Sequence, residues 1–452
     1  MAEGGRILLK LREPDVPAVP GDPAALLAAA AAAWEGIRQG FGSPDLVPLL
    51  AEIDAGLVQE VVDDLRDEQE DPAEVPHPLL CFGFDLPPEA ELAVEDAVAT
   101  LEALPEVEWA QPDGLAEACQ GPANPGAVLQ TYLNPAPVGI GVDAARPKPG
   151  GTGSPVLVGV VEPFPFDPTH RDLPAQLDSV TPGPPESGVA VTDLDHATGV
   201  LGLVAAADNA VDLIGVAPRC AVVFGSGQSP SGQIPQSELF LLMHRVGFQV
   251  GTGDVLNVSI AIRDPVTGGQ FPLDALPLFR TAVRLLSFRG TTVVLGAGNG
   301  RVSASTGMCR GIDLDNPPAG GPPSHDSPAI VVGGIQPGVP LGTFTRETCS
   351  NFGSRVDCCA WASDVLTLAG ILFDASGTPT RTTATVEGTS FAAAIVSGVV
   401  AVIQGIVRSA QRPALSPAEV KAILASDSFT SDPCPGQGVG RMPDLARIVP
   451  AL

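Results

Sequence analysis

The sequence predicts an α/β protein with a doubly wound, mostly parallel sheet and helices on both faces, preceded by a small α+β, ferredoxin-like domain. Five continuous apolar runs have the length of strands that are buried on both faces. They lie at residues 156–161, 220–224, 255–259, 292–295 and 329–332. Helical spacing occurs between them at residues 198–206, 237–248 and 276–288. Alternating strands and helices are typical of such a sheet, whose ligands gather at the carboxyl ends of the strands.

Residues 1–115 read as a separate domain, because short strands alternate there with helical segments, as in a split βαβ unit. The strands are predicted at 7–11, 79–86 and 107–110, and the helices at 23–40, 43–67 and 88–104. Gly, Pro and Ala dominate residues 116–153, which we interpret as a linker or arm. The sheet domain then occupies residues 154–452, where Ser416 and Glu419 predict a capping box that opens the last helix.

Composition excludes several classes of partner. The 452 residues carry a net charge of −28, which argues against nucleic acid and anionic membranes as partners. No transmembrane segment is predicted, since the apolar residues 24–34 are too few to span a bilayer. The first residues lack the pattern of a secretory signal, which favours the cytoplasm or a route outside general secretion.

The eight cysteines include no C-x-x-C pair, so the sequence predicts no zinc or other metal site. Cys309 and Cys349 are the pair that we would test first for a disulfide bond. Calcium is compatible with the surplus of carboxylates, although no compact ligand loop stands out.

Candidate catalytic groups fall at the ends of strands or the starts of helices. Ser390 follows a tight Gly-Thr turn and opens a helix of small apolar residues, where unpaired N–H groups can stabilise an oxyanion. A lone serine there is typical of a helix cap. However, Glu162 ends the first long strand, His196 opens a helix, and Asn299 follows the strand at 292–295. A nucleophilic serine needs an imidazole base, a carboxylate that orients it and an oxyanion donor, and these residues supply all three.

Several motifs resemble those of subtilisin-like serine proteases, the subtilases of peptidase family S8, between about residues 155 and 428. They include Gly388-Thr389-Ser390-Phe391-Ala392 around the nucleophile, His196-Ala197-Thr198, Gly215-Val216-Ala217-Pro218, Ala297-Gly298-Asn299, Ser350-Asn351-Phe352-Gly353 and His170-Arg171-Asp172-Leu173. Ser259-Ile260-Ala261 resembles the family's substrate-pairing segment, so an extended peptide is expected to bind there through its backbone.

The resemblance implies a serine endopeptidase that acts on polypeptides. It also favours export, so the location of the protein stays open. In the implied endopeptidase Ser390 attacks, His196 carries the proton, Glu162 orients His196, and Asn299 with the Ser390 N–H stabilises the oxyanion. The first 115 residues are similar to an inhibitory propeptide, which makes the chain's own N-terminal domain an expected partner. Cleavage is then expected between residues 110 and 130.

Three departures from the family pattern leave alternatives open. Glu162 stands where the family has Asp, and Asp167 is a second candidate for the acid. Ala394 replaces a helix proline, and Ala197 replaces a glycine beside His196. One rival hypothesis is therefore a pseudoprotease that binds peptides without cutting them. Another α/β hydrolase is a weaker alternative, because no Gly-x-Ser-x-Gly follows a strand.

The remaining charged and titratable groups near these motifs have simpler interpretations. Asp193 and Asp195 flank the His196 helix and would raise the basicity of His196 if they lay close to it; otherwise they are charges at a helix N-terminus. His77, His244 and His325 are interpreted as structural or solvated residues.

Overall fold

A computed structural model describes residues 6–12, 23–38, 45, 47–50, 55–56, 58–59, 62–63, 78–85, 94–112, 115–118, 130–174, 176–180, 194–209, 212–227, 229, 233–303, 306–374 and 378–452. Its strands, in chain order, are β1 Arg6–Leu11, β2 Val47–Pro48, β3 Cys81–Asp85, β4 Val107–Pro112, β5 Leu115–Ala118, β6 Leu157–Glu162, β7 Leu177–Ser179, β8 Ala221–Ser226, β9 Gln233–Pro235, β10 Val255–Val258, β11 Ile260–Arg263, β12 Gln270–Pro272, β13 Thr292–Gly296, β14 Arg301–Val302, β15 Cys309–Arg310, β16 Ile330–Pro337, β17 Phe344–Arg346, β18 Cys358–Trp361, β19 Val365–Phe373, β20 Pro379–Val386, β21 Thr430–Ser431 and β22 Met442–Pro443. Its helices are α1 Pro23–Ile37, α2 Val94–Glu102, α3 Asp195–Ala205, α4 Gln236–Gly247, α5 Pro277–Phe288, α6 Thr389–Ser409, α7 Pro417–Ala425 and α8 Leu445–Ile448.

The main sheet has the order β17-β16-β13-β10-β6-β8-β7, with β18 also paired to β16. All of its pairs are parallel except β16 with β17. The five predicted apolar runs form β6, β8, β10, β13 and β16, which confirms the predicted parallel sheet. The chain steps from β6 to β8 on one side and returns to β10 on the other, so the strand order reverses at β6. Ligands of such sheets bind at this reversal.

Helices cover both faces of the sheet because successive strand residues point to opposite sides. On β6, Val158 and Val160 belong to the apolar core that contains α3 and α6. Val161 of the same strand belongs to a second core, which contains α4 and α5. The doubly wound architecture follows from these two cores.

The first part of the chain forms a four-stranded antiparallel sheet in the order β2-β3-β1-β4. Its buried residues, among them Leu8 and Trp109, share the apolar core of α4 and α5. The helix predicted over residues 43–67 is wrong in part, because Val47 and Pro48 form an edge strand beside β3. Tertiary pairing with Phe82 and Gly83 outweighs the local helical spacing there.

β5 extends across the predicted boundary at residue 115, and it pairs with strands of the sheet domain. It lies antiparallel between β11 and β9, with Ala118 opposite Ile260 and Ala116 opposite Ile234. The segment that follows the N-terminal sheet therefore enters the sheet domain as a strand. The division of the chain at residues 115 and 153 stays a prediction.

Helix α6 is long and apolar enough, by composition alone, to cross a membrane. However, 94% of its most apolar 18-residue window is buried inside the protein, as in the core helix of a globular domain. The predicted capping box at α7 is present, with Ser416 Oγ accepting from the Glu419 N–H.

Candidate active site

Three of the predicted site residues form one hydrogen-bonded chain. Glu162 ends β6, and its Oε2 lies 2.6 Å from His196 Nδ1. His196 stands in the first turn of α3, and its Nε2 lies 2.9 Å from Ser390 Oγ. All three residues are buried, with at most 1% of their surface exposed. This arrangement lets the imidazole take the serine proton while the carboxylate holds the ring in place.

Gly388 allows the turn that presents Ser390. Its φ of 133° lies in a region that favours glycine, and its N–H donates to Ala362 O at 2.8 Å. Helix α6 then begins at Thr389, so Ser390 is its second residue. The local sequence thus sets the hydroxyl at the positive end of a 21-residue helix.

Apolar neighbours enclose the imidazole. The rings of Phe164 and Phe391 lie 5.7 and 5.0 Å from the His196 ring, centroid to centroid. Burial raises the pKa of Glu162, and the nearby His196 offsets part of that rise. Glu162 Oε1 adds to the effect, since no described residue donates a hydrogen bond to it.

Asp167 does not occupy the position of the acid. Its Oδ1 accepts from the Thr169 N–H at 2.9 Å, and its Oδ2 accepts from the Ile371 N–H at 2.8 Å. It therefore ties the loop after β6 to β19, while Glu162 contacts the histidine. Of the two alternatives, the geometry favours Glu162 as the orienting acid.

The side chain of Asn299 is held through its oxygen, which leaves its amide N–H₂ group without a partner among the described residues. The side-chain Oδ1 accepts from both the N–H and the hydroxyl of Thr389, at 2.9 and 3.0 Å. The buried Nδ2 has no hydrogen-bond partner among the residues that the structure describes. An unpaired buried donor is costly in a resting protein, and it is what an oxyanion site requires.

The backbone around Asn299 is fixed by residues whose roles the sequence did not suggest. Asn351 Nδ2 donates to the carbonyls of Ala297 and Gln270, both at 2.7 Å. Gln270 Oε1 in turn accepts from the Asn299 N–H at 3.2 Å. Asn351 belongs to the motif Ser350-Asn351-Phe352-Gly353, and this motif could have indicated its role. Gln270 carries no comparable signal, because its contact joins distant parts of the chain.

The cysteine pair that the sequence analysis singled out for testing forms a disulfide bond that braces the same loop. Cys309 is bonded to Cys349, 40 residues away in sequence. Cys309 Sγ also lies 3.1 Å from the carbonyl oxygen of Asn299. The bridge therefore links the turn before Asn351 to the backbone of the oxyanion donor.

The predicted substrate segment, Ser259, Ile260 and Ala261, runs from the end of β10 into β11. Ser259 Oγ donates to Asn257 Oδ1 at 2.7 Å and approaches the carbonyl of Ser390 at 3.1 Å. Ile260 and Ala261 pair with Ala118 and Glu117 of β5. The edge at which a substrate strand was expected thus carries a strand of the same chain.

The remaining predictions near the site have simple outcomes. Asp195 is the first residue of α3; its Oδ1 accepts from the Gly370 N–H of β19 at 2.9 Å, and its carboxylate is ion-paired with Arg381. Asp193 and His77 lie outside the described residues. Ala197 is fully buried, and the hydrogen bonds of His196 are intact beside it. Ala394 is buried inside α6.

His244 agrees with a structural interpretation. Its Nδ1 donates to Phe240 O at 2.8 Å within α4, and burial lowers its pKa to about 4. His325 lies near Arg280 and Asp274, away from the catalytic residues, and burial lowers its pKa. Neither residue joins the site.

One buried carboxylate is suited to a cation. Asp172 Oδ2 accepts from the Leu213 N–H at 2.9 Å, whereas no described residue donates to its Oδ1. Burial raises the pKa of Asp172, and the nearby Asp212 carboxylate raises it further. Arg171 is ion-paired with Asp212 at 3.3 Å, and the nearby His170 partly offsets the rise in the pKa of Asp172. Within the described ranges, no group of three His, Cys, Asp or Glu side chains forms a ready metal site.

Comparison with known proteins decides the family. Residues 153–440 match the subtilase family, which is well over half of the chain. The chain belongs to the subtilase family. The resemblance predicted from the motifs is thereby confirmed.

Solved structures share the fold of this subtilase. Fervidolysin from Fervidobacterium pennivorans, described as a keratinolytic enzyme related to subtilisin, is 16% identical with a TM-score of 0.61. That match covers 99% of this chain and 61% of fervidolysin. A protease from Pseudoalteromonas arctica PAMC 21717 is 22% identical with a TM-score of 0.52, over 71% of this chain and 96% of that one. At such identities the likeness concerns the fold, so the roles of individual residues remain predictions.

Proposed function

We propose that this subtilase hydrolyses peptide bonds through an acyl-enzyme on Ser390. The observation that carries the proposal is the buried chain from Glu162 through His196 to Ser390, beside the unpartnered Nδ2 of Asn299. Neither a pure helix cap nor a scaffold needs both features.

The steps follow from these positions. Ser390 Oγ bonds to the scissile carbonyl carbon as its proton passes to His196 Nε2, while Glu162 stabilises the imidazolium. Asn299 Nδ2 and the Ser390 N–H donate to the oxyanion. The C–N bond then breaks, and His196 gives its proton to the leaving amine. Water attacks the acyl-enzyme with His196 as base, which releases the acid and restores Ser390.

We propose further that the N-terminal part of the chain inhibits the enzyme until it is cut. β5 pairs with β11 at the edge predicted for substrate, and its chain direction brings Ala118 opposite Ile260, next to Ser259. A strand in that place excludes a substrate strand from the same hydrogen bonds. The complete burial of Ser390 in the uncut chain supports the same conclusion.

Gln111 supports the docking of this inhibitory part. Its buried side chain accepts from the Leu278 N–H at the start of α5 and donates to Gln236 at the start of α4. One residue of β4 thus binds the N-termini of two helices of the sheet domain. This contact aligns the sheet that precedes β5.

Calcium is proposed as a structural ion at Asp172. Asp172 and the loop that carries Leu213 and Asp212 would hold it. The ion would neutralise a buried carboxylate and stabilise the loop, with no part in the chemistry.

The intact mass of the wild type and of Ser390→Ala after incubation tests the proposal. The wild type should lose a fragment that ends within a few residues of Ala118, and Ser390→Ala should stay whole. A fluorophosphonate should label the wild type only, because it reacts with an activated serine. If both proteins stay whole and neither is labelled, the peptide-binding pseudoprotease is the better hypothesis.

A further inference from the structure

A surface cavity of about 320 Å³ is lined by residues that follow Asn299 in the chain. It is lined by the short hairpin of β14 and β15 and by the turn that follows, including Met308, Asp313 and Asn316. β14 begins two residues after Asn299. The mechanism proposed above makes no use of this cavity.

Two arginines lie next to each other in the lining of this cavity. Arg301 and Arg310 are direct partners across the hairpin, both are exposed, and both line the cavity. Neither has an ion-pair partner within the described part of the chain, whereas Arg146, Arg355, Arg381 and Arg408 do. In a chain with 52 acidic and 24 basic residues, two adjacent unpaired arginines are an unusual concentration of positive charge.

One acidic residue, Asp313, also lines the cavity, and its single negative charge offsets only one of the two guanidinium charges. Asp313 Oδ1 accepts from the Asp315 N–H at 3.0 Å, and its Oδ2 accepts from Asn316 Nδ2 at 3.0 Å. Its carboxylate is thus used within its own turn. The cavity therefore offers two guanidinium groups to an anion, with Met308 as an apolar surface for an aliphatic stem.

The cavity is held at a fixed place relative to the reaction centre. Cys309, next to Arg310, contacts the Asn299 carbonyl through Sγ at 3.1 Å and is bonded to Cys349. The carbonyl of Gly300 accepts from the Gln270 N–H at 2.8 Å. A side chain bound by the arginines would thus belong to a substrate residue close to the scissile bond.

We infer that Arg301 and Arg310 select polypeptide substrates with an Asp or Glu near the scissile bond. The inference rests on the proposed endopeptidase activity. Planar guanidinium groups bind carboxylates through paired hydrogen bonds, which a neutral amide cannot match. Because the net charge of −28 repels acidic chains in general, the arginines create a local preference and no broad attraction.

The test uses full-length protein that has been allowed to process itself. An unfolded protein mixture is digested, and mass spectrometry identifies the residues around each cut. Quenched peptides are then made in pairs that differ only in Glu against Gln at the enriched position. We expect kcat/KM to be about fivefold or more higher for the Glu peptide at low salt, and the ratio to fall as salt is added.

Variants assign the preference to the two arginines. Arg301→Gln with Arg310→Gln should bring the Glu to Gln ratio within about twofold, while cleavage of the Gln peptide continues. Arg301→Lys with Arg310→Lys should retain part of the preference, because the charge is kept. Arg219→Gln is the matched control, since Arg219 is exposed and does not line the cavity.

Efficient cleavage of both peptides at equal rates would overturn this inference and leave the endopeptidase intact. A preference that survives in the double Gln variant would overturn it too. Failure to cleave any peptide, together with no fluorophosphonate labelling, would contradict the proposed function and this inference with it.

Discussion

The two halves of the active site each keep one buried polar atom without a hydrogen-bond partner among the described residues, and the two atoms have opposite character. In the relay half, formed by Glu162, His196 and Ser390, the atom is an acceptor, Glu162 Oε1. In the oxyanion half, formed by Asn299 and Thr389, it is a donor, Asn299 Nδ2. Such atoms cost roughly 1–3 kcal/mol each in an ordinary core, so their presence needs a reason.

The unpartnered donor and the unpartnered acceptor have different effects on the enzyme. In the proposed mechanism the free donor lies where negative charge develops, so its hydrogen bond would form in the transition state. The free acceptor, Glu162 Oε1, gains no hydrogen bond during the proposed reaction. Its effect is on the proton affinity of the carboxylate, because a buried carboxylate with few donors has a raised pKa. The oxyanion half is thus prepared for the substrate, and the relay half is sensitive to pH.

Each half is also stabilised by a contact, here called its brace, that takes no part in the proposed reaction. On the oxyanion side, the disulfide between Cys309 and Cys349 touches the Asn299 backbone. On the relay side, the Asp172 carbonyl accepts from the Ala207 N–H at 3.1 Å, just beyond the end of the His196 helix.

Glu162→Gln should give the largest loss, about 10⁴-fold in kcat, because a neutral amide neither fixes the imidazole tautomer nor stabilises the imidazolium. Stability should respond in a different way. The raised pKa of Glu162 means that its carboxyl binds a proton more tightly in the folded state than in the unfolded state, where the pKa is near 4.5. Wild-type stability should therefore fall as pH rises from about 4.5 through the folded pKa, and the variant should lack this slope. Denaturant unfolding across pH, beside kcat measurements, checks both.

Asp167→Asn is the matched control for that variant. It should keep activity of the wild-type order and lose thermal stability, since the Asp167 carboxylate accepts from the backbones of Thr169 and Ile371. If Asp167→Asn abolished activity and Glu162→Gln did not, the assignment of the acid would have to be reversed.

Asn299→Ala should lower kcat by about 10²–10³-fold with little change in KM, because the lost hydrogen bond forms only in the transition state. Steady-state kinetics on a peptide substrate measure the split. Thr389→Val, which removes the hydroxyl that holds Asn299 Oδ1, should give a smaller loss of the same kind, and Thr389→Ser should restore the activity. A rise in KM at constant kcat would place Asn299 in substrate binding.

The sequence predicted most of the relay half and less of its surroundings. Continuous apolar runs mark buried parallel strands, and their ends bring Glu162 and Asn299 to one edge of the sheet. The strand at Val47–Pro48 was missed because a partner strand decided it. The pairing of β5, the contacts of Gln270 and the paired arginines were also not predicted. Each depends on which distant segments meet, and local periodicity does not contain that information.

Replacing both Cys309 and Cys349 with Ser should lower kcat by about tenfold and leave KM nearly unchanged, because the brace acts on the Asn299 backbone. Loop closure over 40 residues predicts a loss of stability of up to about 4 kcal/mol. Thermal unfolding and kinetics should be compared with wild type that has been treated with a reductant. If the variant is less stable but fully active below its unfolding temperature, the bridge supports the fold and has no influence on the oxyanion half.

The smallest effect is expected on the relay side, where calcium should raise the thermal midpoint of the wild type by a few degrees without a change in kcat. The ion would bind the Asp172 carboxylate and lower its pKa, so the gain should be larger at pH 7 than at pH 5. Asp172→Asn should abolish the calcium response, whereas Asp178→Asn, at an exposed residue of β7, should keep it. Scanning calorimetry with calcium and with a chelator measures the shift. An equal rise of the thermal midpoint in Asp172→Asn would show that calcium binds at another site and does not brace the relay half.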